Sequence, residues 1–530
     1  MSTSPLPETV RSAPPELRRW DPPAVHVVPG PLTGADLDGC DVLGVPVAPG
    51  EGDGPVRPRP GAADAAVRYG VDLAALLAAE EVSGRAGSTW RLPVPAPAGS
   101  PRRLLAVGAG DSSPAALRRA AAALARAAGP AADVATTLAD GAGEEGVRAV
   151  VEGFLLASHV PPTAARRPDG ERPDGERPDG ERPARRLVLV GDVPAAAVAR
   201  GQALAAATAL ARDLAATPSN LKDPAWLVAR TREVAAEHGL TVEVRDAARL
   251  RREGFGGLLA VGGASPSPPA LVQVRHRPRG RAGAGAPHVV LAGKGITYDT
   301  GGLALKPRES MVAMKTDMTG AAVVLAVVAA AARLRLPVRV TGLLALAENS
   351  FGGASYRPGD VVRHHGGRTT EVNNTDAEGR LVLGDALAHA HASLDPDVLV
   401  DVATLTGAAS VALGKRHAAL FATDDELAAQ LQAASEASGE QVWRLPLVPE
   451  YAELLRSDVA DARQVATAPG AGAGTILAAQ FLQPFTGGRR WAHLDIAGPA
   501  RADGAEHEVN RGATGFGARL LLRWLESLAG

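Results

Sequence analysis

Three short stretches of this 530-residue chain gather acidic, basic and glycine residues in ways that can do chemistry. The first, GKGITYDTGGLALKP (Gly293–Pro307), follows the apolar run Val289–Ala292, which places Lys294 and Asp299 at the C-terminal end of a predicted strand. Sites in α/β sheets form beyond such ends. Glycines at 293, 295, 301 and 302 permit tight turns and close backbone approach, as a plain turn or a phosphate-cradling loop would also need. The GxxxxGK(S/T) pattern is absent, which speaks against a nucleotide phosphate loop. The second stretch, MKTDMTGAA (Met314–Ala322), sets Asp317 just ahead of a nearly all-apolar helix predicted from about Gly320. Taken alone, Asp317 reads as the N-cap of that helix. In the third, NNTDAEGRL (Asn373–Leu381), Asp376, Glu378 and Arg380 alternate, and extended backbone would project all three to one side before a helix starting at Leu381. Two carboxylates and a guanidinium gathered in apolar surroundings are costly without compensation, which a bound cation would supply.

Asp299, Asp317, Asp376 and Glu378 are hard oxygen ligands, suited to Mn²⁺ or Mg²⁺ and acceptable to Zn²⁺. Four carboxylates can hold two divalent ions with bridging oxygens, which is the plan of a two-metal hydrolytic site. HExxH is absent, so a mononuclear zinc site of that type is not expected. His364, His365, His389, His391 and His493 match no ligand spacing and read as structural. No serine lies in a GxSxG context, and the one cysteine, Cys40, has no motif, so covalent catalysis has no support.

Composition narrows the setting. Net charge is −2, with 56 basic against 58 acidic residues, so no global field holds the chain to nucleic acid or an anionic membrane. The longest uncharged apolar run, Gly320–Ala332, is too short to span a bilayer, and the N-terminus has no apolar signal segment. A single cysteine rules out a disulfide framework, and the expectation is a soluble cytoplasmic protein. Lysine occurs only at 222, 294, 306, 315 and 415, so of 56 basic residues 51 are arginine. With 60 Gly and 42 Pro, this resembles a coding bias that replaces Lys by Arg wherever either serves. Three of the five lysines fall between 294 and 315, which suggests chemistry that needs an amine or a compact ammonium.

Elements that position these residues follow from periodicity. Residues 1–25, rich in proline, are expected to be disordered. Residues 26–194 alternate short apolar runs with Ala-rich helical stretches, as a smaller α/β domain does. Within it, 167–183 repeats RPDGE, a flexible insertion unable to build a core. Residues 195–216 form a linker helix, and 217–530 a larger catalytic α/β domain. There strands and helices alternate, predicting a mixed, mostly parallel sheet flanked by helices.

These motifs, with ATLTGA, WAHLDIAGPA and GATGFGARLL in the same order, resemble the leucyl (cytosol) aminopeptidase family over roughly residues 200–525, and NTDAEGRL is a specific signature of it. The N-terminal domain corresponds to the family's variable α/β domain only in size and position. The resemblance implies a two-domain exopeptidase with two divalent ions, Mn²⁺ or Zn²⁺, on Lys294, Asp299, Asp317, Asp376 and Glu378. Asp299 and Glu378 would bridge them, and Lys294 would bind as a neutral amine, which arginine could not do. Lys306 and Arg380 fall on the catalytic positions, Lys306 for the oxyanion and Arg380 for a bicarbonate that shuttles the proton of a metal-activated water. Met314, Thr404 and Gly407 would line the pocket for the first side chain, leucine or another apolar residue. Peptides with a free N-terminus would be the substrates, and a homohexamer of paired trimers the assembly.

Thr300, Thr319, Ser350–Phe351 and Gly384 depart from the family's usual residues. Thr319 and Phe351 are the ones expected to reshape substrate access. Two other readings stand beside this one. A DNA-binding or regulatory homologue is weighed down by the low net charge and the lack of a basic, aromatic-interleaved stretch. A different two-metal hydrolase, such as a phosphoesterase, would need no site for a free amine.

Overall fold

A computed structural model describes residues 20–529 apart from 52–53, 96, 130–131, 163–183, 279–284, 469 and 471. The disorder expected for 1–25 falls, for 1–19, outside the described residues, as does the RPDGE insertion at 167–183. From Trp20 onward the chain is packed, its indole meeting His159 edge-on at 5.1 Å between ring centroids.

In the N-terminal part, Ala24–Val28, Arg186–Val190, Asp133–Thr136, Val42–Ala48 and Arg103–Gly108 lie side by side in that order, all parallel. Thr89–Leu92 closes the far edge antiparallel. Val42–Ala48 is buried at every residue, so it has none of the alternation that marks a half-exposed strand in a sequence. Helices Pro114–Ala128 and Gly143–Ala157 cover this sheet, and helix α1 (Ala195–Ala216) leads from it into the larger part.

The larger sheet has eight strands: β1 (Thr241–Arg245), β2 (Ala270–His276), β3 (His288–Asp299), β4 (Arg339–Asn349), β5 (Val398–Ala403), β6 (Ala418–Ala422), β7 (Val442–Arg444) and β8 (Trp491–Asp495). Their spatial order is β7-β6-β8-β5-β3-β4-β2-β1. The centre, β8-β5-β3-β4, is parallel, while β6 runs antiparallel to β8 and β2 antiparallel to β4. This is the mixed, mostly parallel sheet expected. Helix α2 (Thr319–Arg333) packs against β3, β4 and β5 and is enclosed by α1 and by α4 (Ala518–Ser527). Thr319–Ala331 are all buried, which explains a helix apolar on every side. The stretch Arg308–Arg333 has the length and hydropathy of a membrane span, yet 72% of its most apolar window is buried inside the fold.

Helix α3 (Glu378–Leu394) corrects one expectation. The helix begins at Glu378, not Leu381, so Glu378 and Arg380 sit on its first turn and point in different directions. A carboxylate in a first turn also lies at the positive end of the helix dipole.

A buried ionic cluster joins the two parts. Arg519 on α4 meets Glu508 at 3.2 Å and Glu440 at 3.4 Å, while Arg118 of the N-terminal part meets Glu152 at 3.1 Å and donates to the Ala437 carbonyl at 3.3 Å. Arg212 on α1 donates to Thr514 O, Leu156 O and Glu508 O. Burial opposes the charge of Glu508, but Arg519 and Arg118 hold its carboxyl down at about 2. Removing one member of such a cluster strands the others in low dielectric. Arg519→Met is therefore expected to cost about 3–5 kcal/mol, read as a lower guanidinium midpoint. An unchanged midpoint would show that Arg519 does not balance these carboxylates.

Candidate active site

The central parallel strands end where the three motifs converge. Pairing of β3 with β5 stops at Gly293–Val402, so Lys294 lies just past it, with β4 still alongside. Register with β4 then slips between Ile296 and Asp299, and Asp299 pairs with Asn349 at the strand ends. Such an irregularity re-aims a side chain. Asn349 Nδ2 donates to Asp299 Oδ1 at 2.8 Å and to Thr375 O at 3.0 Å, tying β3 to the third motif. Next comes the turn at Gly301 and Gly302, whose φ values of +84° and +62° suit glycine, and it returns the chain so that Lys306 faces Asp299.

Lys294 lies at the bottom. Its Nζ is 2.8 Å from Asp317 Oδ2, 2.7 Å from Glu378 Oε1 and 2.9 Å from Thr404 O. Burial disfavours its charge, but Asp317, Glu378 and Asp299 outweigh that and raise its pKa above the usual lysine range. Lys306 lies nearer the mouth, 2.8 Å from Asp299 Oδ2 and paired also with Asp376. Its pKa too is raised, the two carboxylates and Glu378 overcoming desolvation. Burial pushes Asp317 and Asp299 upward, with Glu378 adding to both, whereas the two lysines overcome burial at Glu378 and lower it.

The N-cap reading of Asp317 does not hold. Met318 occupies that position without a side-chain cap, and the Asp317 carboxylate turns instead to Lys294 and accepts from Thr404 Oγ1 at 2.7 Å. Met314 begins the short 3-10 turn Met314–Thr316 and its carbonyl accepts from Asp317 N–H. Gly407 opens the helix Gly407–Leu413, and a Cβ there would meet nothing within 4 Å. Asp495, which lies in the WAHLDIAGPA motif but was given no role from the sequence, holds this loop by accepting from Leu405 N–H and Thr406 Oγ1. Asn349 was also missed; its only signal was a polar residue two places past the strand-like run Val338–Ala347.

Arg380 stands apart from the carboxylates. Its Nη1 donates to Gln464 O, its guanidinium carbon lies 5.9 Å from the Phe481 ring centroid, and its buried Nε has no partner among the described residues. Burial lowers its pKa to about 10, which still leaves it cationic at neutral pH. It borders a cavity of about 280 Å³ walled by Val465, Ala466, Gly472, Gly474 and Leu477. Of the histidines, His364 meets Asp385 at 3.1 Å and His493 meets Asp401 at 2.6 Å, all four buried. Of the departures noted above, Thr319 is fully buried with its hydroxyl on Thr316 O, so it does not reach substrate, while Phe351 is 58% exposed.

The residues suit divalent cations. Asp299, Asp376 and Glu378 each offer a carboxylate oxygen within 4.8 Å of the others. Four carboxylates against two ammonium groups leave two negative charges, and buried Glu378 Oε2 has no hydrogen-bond partner among the described residues. Oxygen-rich, under-neutralised sites of this kind favour hard cations.

Residues 209–522 match the model of the cytosol aminopeptidase family, catalytic domain, and residues 57–162 that of the family's N-terminal domain. The second match corrects the expectation that the N-terminal part agrees only in size and position. The chain is 49% identical over 335 residues to a probable cytosol aminopeptidase of Roseiflexus castenholzii, covering 63% of this chain and 67% of that one. It is 51% identical over 334 residues to one of Desulfovibrio desulfuricans, covering 63% and 66%. These alignments thus span about two thirds of the relatives' length. Among solved structures, the bottromycin maturation enzyme BotP in complex with Mn superposes with a TM-score of 0.76 at 40% identity, covering 93% of this chain and 100% of that one. On the catalytic-domain match over 209–522, the chain belongs to the cytosol aminopeptidase family, a family of peptidase hydrolases.

Proposed function

We propose that this protein is a metal-dependent aminopeptidase that releases N-terminal residues, leucine and other apolar ones preferred, from peptides with a free N-terminus. The observation that carries this reading is the convergence of Asp299, Asp376 and Glu378 within 4.8 Å, with Lys294 and Asp317 completing a buried donor set beneath them. Lys294, Asp299, Asp317, Asp376 and Glu378 would hold two divalent ions, Mn²⁺ or Zn²⁺, with Lys294 giving up its proton to do so. Bound there, such ions polarise a carbonyl and make water nucleophilic at neutral pH.

The chain's own groups do the rest. Lys306, its side chain 14% exposed, presents an ammonium at the mouth, where a peptide carbonyl gains negative charge during attack. Arg380, which borders the cavity and donates from Nη1 to Gln464 O, would hold a small anion such as bicarbonate that accepts and returns a proton. Met314 and Thr404, both bonded to Asp317, and Gly407 with open space before it receive the first side chain. Phe351, exposed at the surface, is the departure that would reshape substrate access. A cytoplasmic homohexamer is proposed from the family resemblance, and exposed Leu303, Leu305 and Val312 supply apolar surface that assembly would cover.

With Mn²⁺ supplied, L-leucine p-nitroanilide is expected to be hydrolysed and its N-acetylated form not. Equal rates on the two would overturn the reading and favour another two-metal hydrolase.

A further inference from the structure

Lys222 and Lys315 take no part in the chemistry proposed above, yet in a chain with only five lysines neither yields to arginine. Lys222 is fully buried, and no carboxylate pairs with it among the described residues. Its Nζ donates to Ala215 O at 2.8 Å and also to Lys315 O. Lys315, half-buried, reaches back and donates from its own Nζ to Ala216 O at 2.7 Å. The two side chains thus cross-link the same two segments as a clasp, Lys222 joining the end of α1 to the Lys315 carbonyl and Lys315 reaching back to the end of α1.

The acceptors explain why cationic N–H donors stand here. Ala215 and Ala216 are the last residues of α1, whose final carbonyls have no partners inside the helix. The C-terminus of a 22-residue helix also carries partial negative charge, which favours N–H donors and cations. Burial, and then Lys315, lower the pKa of Lys222 well below the ordinary range, but as ammonium or amine it keeps protons for both carbonyls.

The other half of the clasp falls on the 3-10 turn Met314–Thr316. Within that turn Met314 O accepts from Asp317 N–H, and Thr316 O accepts from Thr319 Oγ1, at the first residue of α2. A turn of three residues holds little stiffness of its own. Its position is set by what grips it, and Lys315 is gripped at both its carbonyl and its side chain.

We propose that Lys222 and Lys315 are positioning residues, a clasp between the end of α1 and the Met314–Thr316 turn that sets where Asp317 and Met314 stand. The assignment rests on the proposed metal and pocket roles of those two residues. Helix α1, which runs between the two parts of the chain, is thereby tied to one metal ligand and to the first-residue pocket.

The test uses the full-length chain with Mn²⁺ as probe. Lys222→Met and Lys315→Met are each expected to weaken binding of one of two Mn²⁺ ions by about 10- to 100-fold, as loss of a ligand's supporting partner does. KM for L-leucine p-nitroanilide should rise, while kcat at saturating Mn²⁺ changes little. Lys315→Arg should restore both, since a half-buried guanidinium still reaches Ala216 O, and the exposed Lys415→Met should match wild type. Wild-type Mn²⁺ affinity and KM in both methionine variants would overturn the clasp. Should Lys222→Met fail to fold, Lys315→Met against Lys315→Arg decides it. If wild type itself binds no Mn²⁺ or cleaves nothing, the functional reading fails. Amide hydrogen exchange over 313–319 then decides the clasp, faster exchange in Lys315→Met supporting it and unchanged exchange refuting it.

Discussion

Lys306→Ala is expected to lower kcat on unblocked aminoacyl substrates by about 10²-fold or more, in line with the loss of a single oxyanion donor. Among the described cationic groups of the site its side chain is the most exposed, 14% where Lys294 is 3% exposed. It is anchored by Asp299 at 2.8 Å and by Asp376, so its ammonium is oriented before substrate arrives. Removing it takes one positive charge from a site already short of them, so divalent cations should bind at least as readily. The combined result, kcat down with Mn²⁺ stoichiometry kept, separates loss of a donor from loss of metal. Unchanged kcat would show that Lys306 is only a counter-ion.

Lys294→Arg is expected to leave a folded protein that holds at most one Mn²⁺ per chain, with activity lost accordingly. Charge is conserved in this substitution and two properties are not. Arginine stays protonated, so it cannot become a neutral donor. Its planar head also needs room that is absent. A Cβ placed on Gly379 would lie 2.6 Å from Lys294 Cε, which shows how closely the first turn of α3 covers the lysine stem. Isothermal titration with Mn²⁺ measures the stoichiometry, and two tightly bound ions in the variant would refute Lys294 as a ligand. Here the bias toward arginine is informative: 51 of 56 basic residues are arginine, and the two that cluster with the carboxylates are lysine.

How much was legible depended on whether a signal was local. Strand β3 could be read from the apolar run Val289–Ala292, because a strand buried on both faces is a continuous apolar stretch. Helix Pro224–His238 could be read from Asp223 and Pro224 at its start and Gly239 after its end. By contrast, the start of α3 was placed three residues late. Alternation of Asp376, Glu378 and Arg380 imitates a strand, whereas the helix has already begun at Glu378, its first turn bringing Gly379 onto the Lys294 stem. Asp317 looked like an ordinary helix cap for the same reason, since the lysine that claims its carboxylate lies 23 positions away.

The sequence by itself determined the chemistry available: which residues are hard ligands, which cations are lysines, and which glycines permit the turns between them. These are properties of residue type and short spacing, and they survive without coordinates. Tertiary structure alone decided what each group faces. It put Asn349 on Asp299, Thr404 on Asp317, Arg380 against Gln464 and apart from its neighbouring carboxylates, and Lys222 on the end of α1. Each of these contacts joins residues that are remote in the chain, or brings a buried donor to an acceptor left free at an element's end. Such pairings are set by the crossing order of the parallel strands and by the need to satisfy every buried polar group, and neither can be read from local spacing.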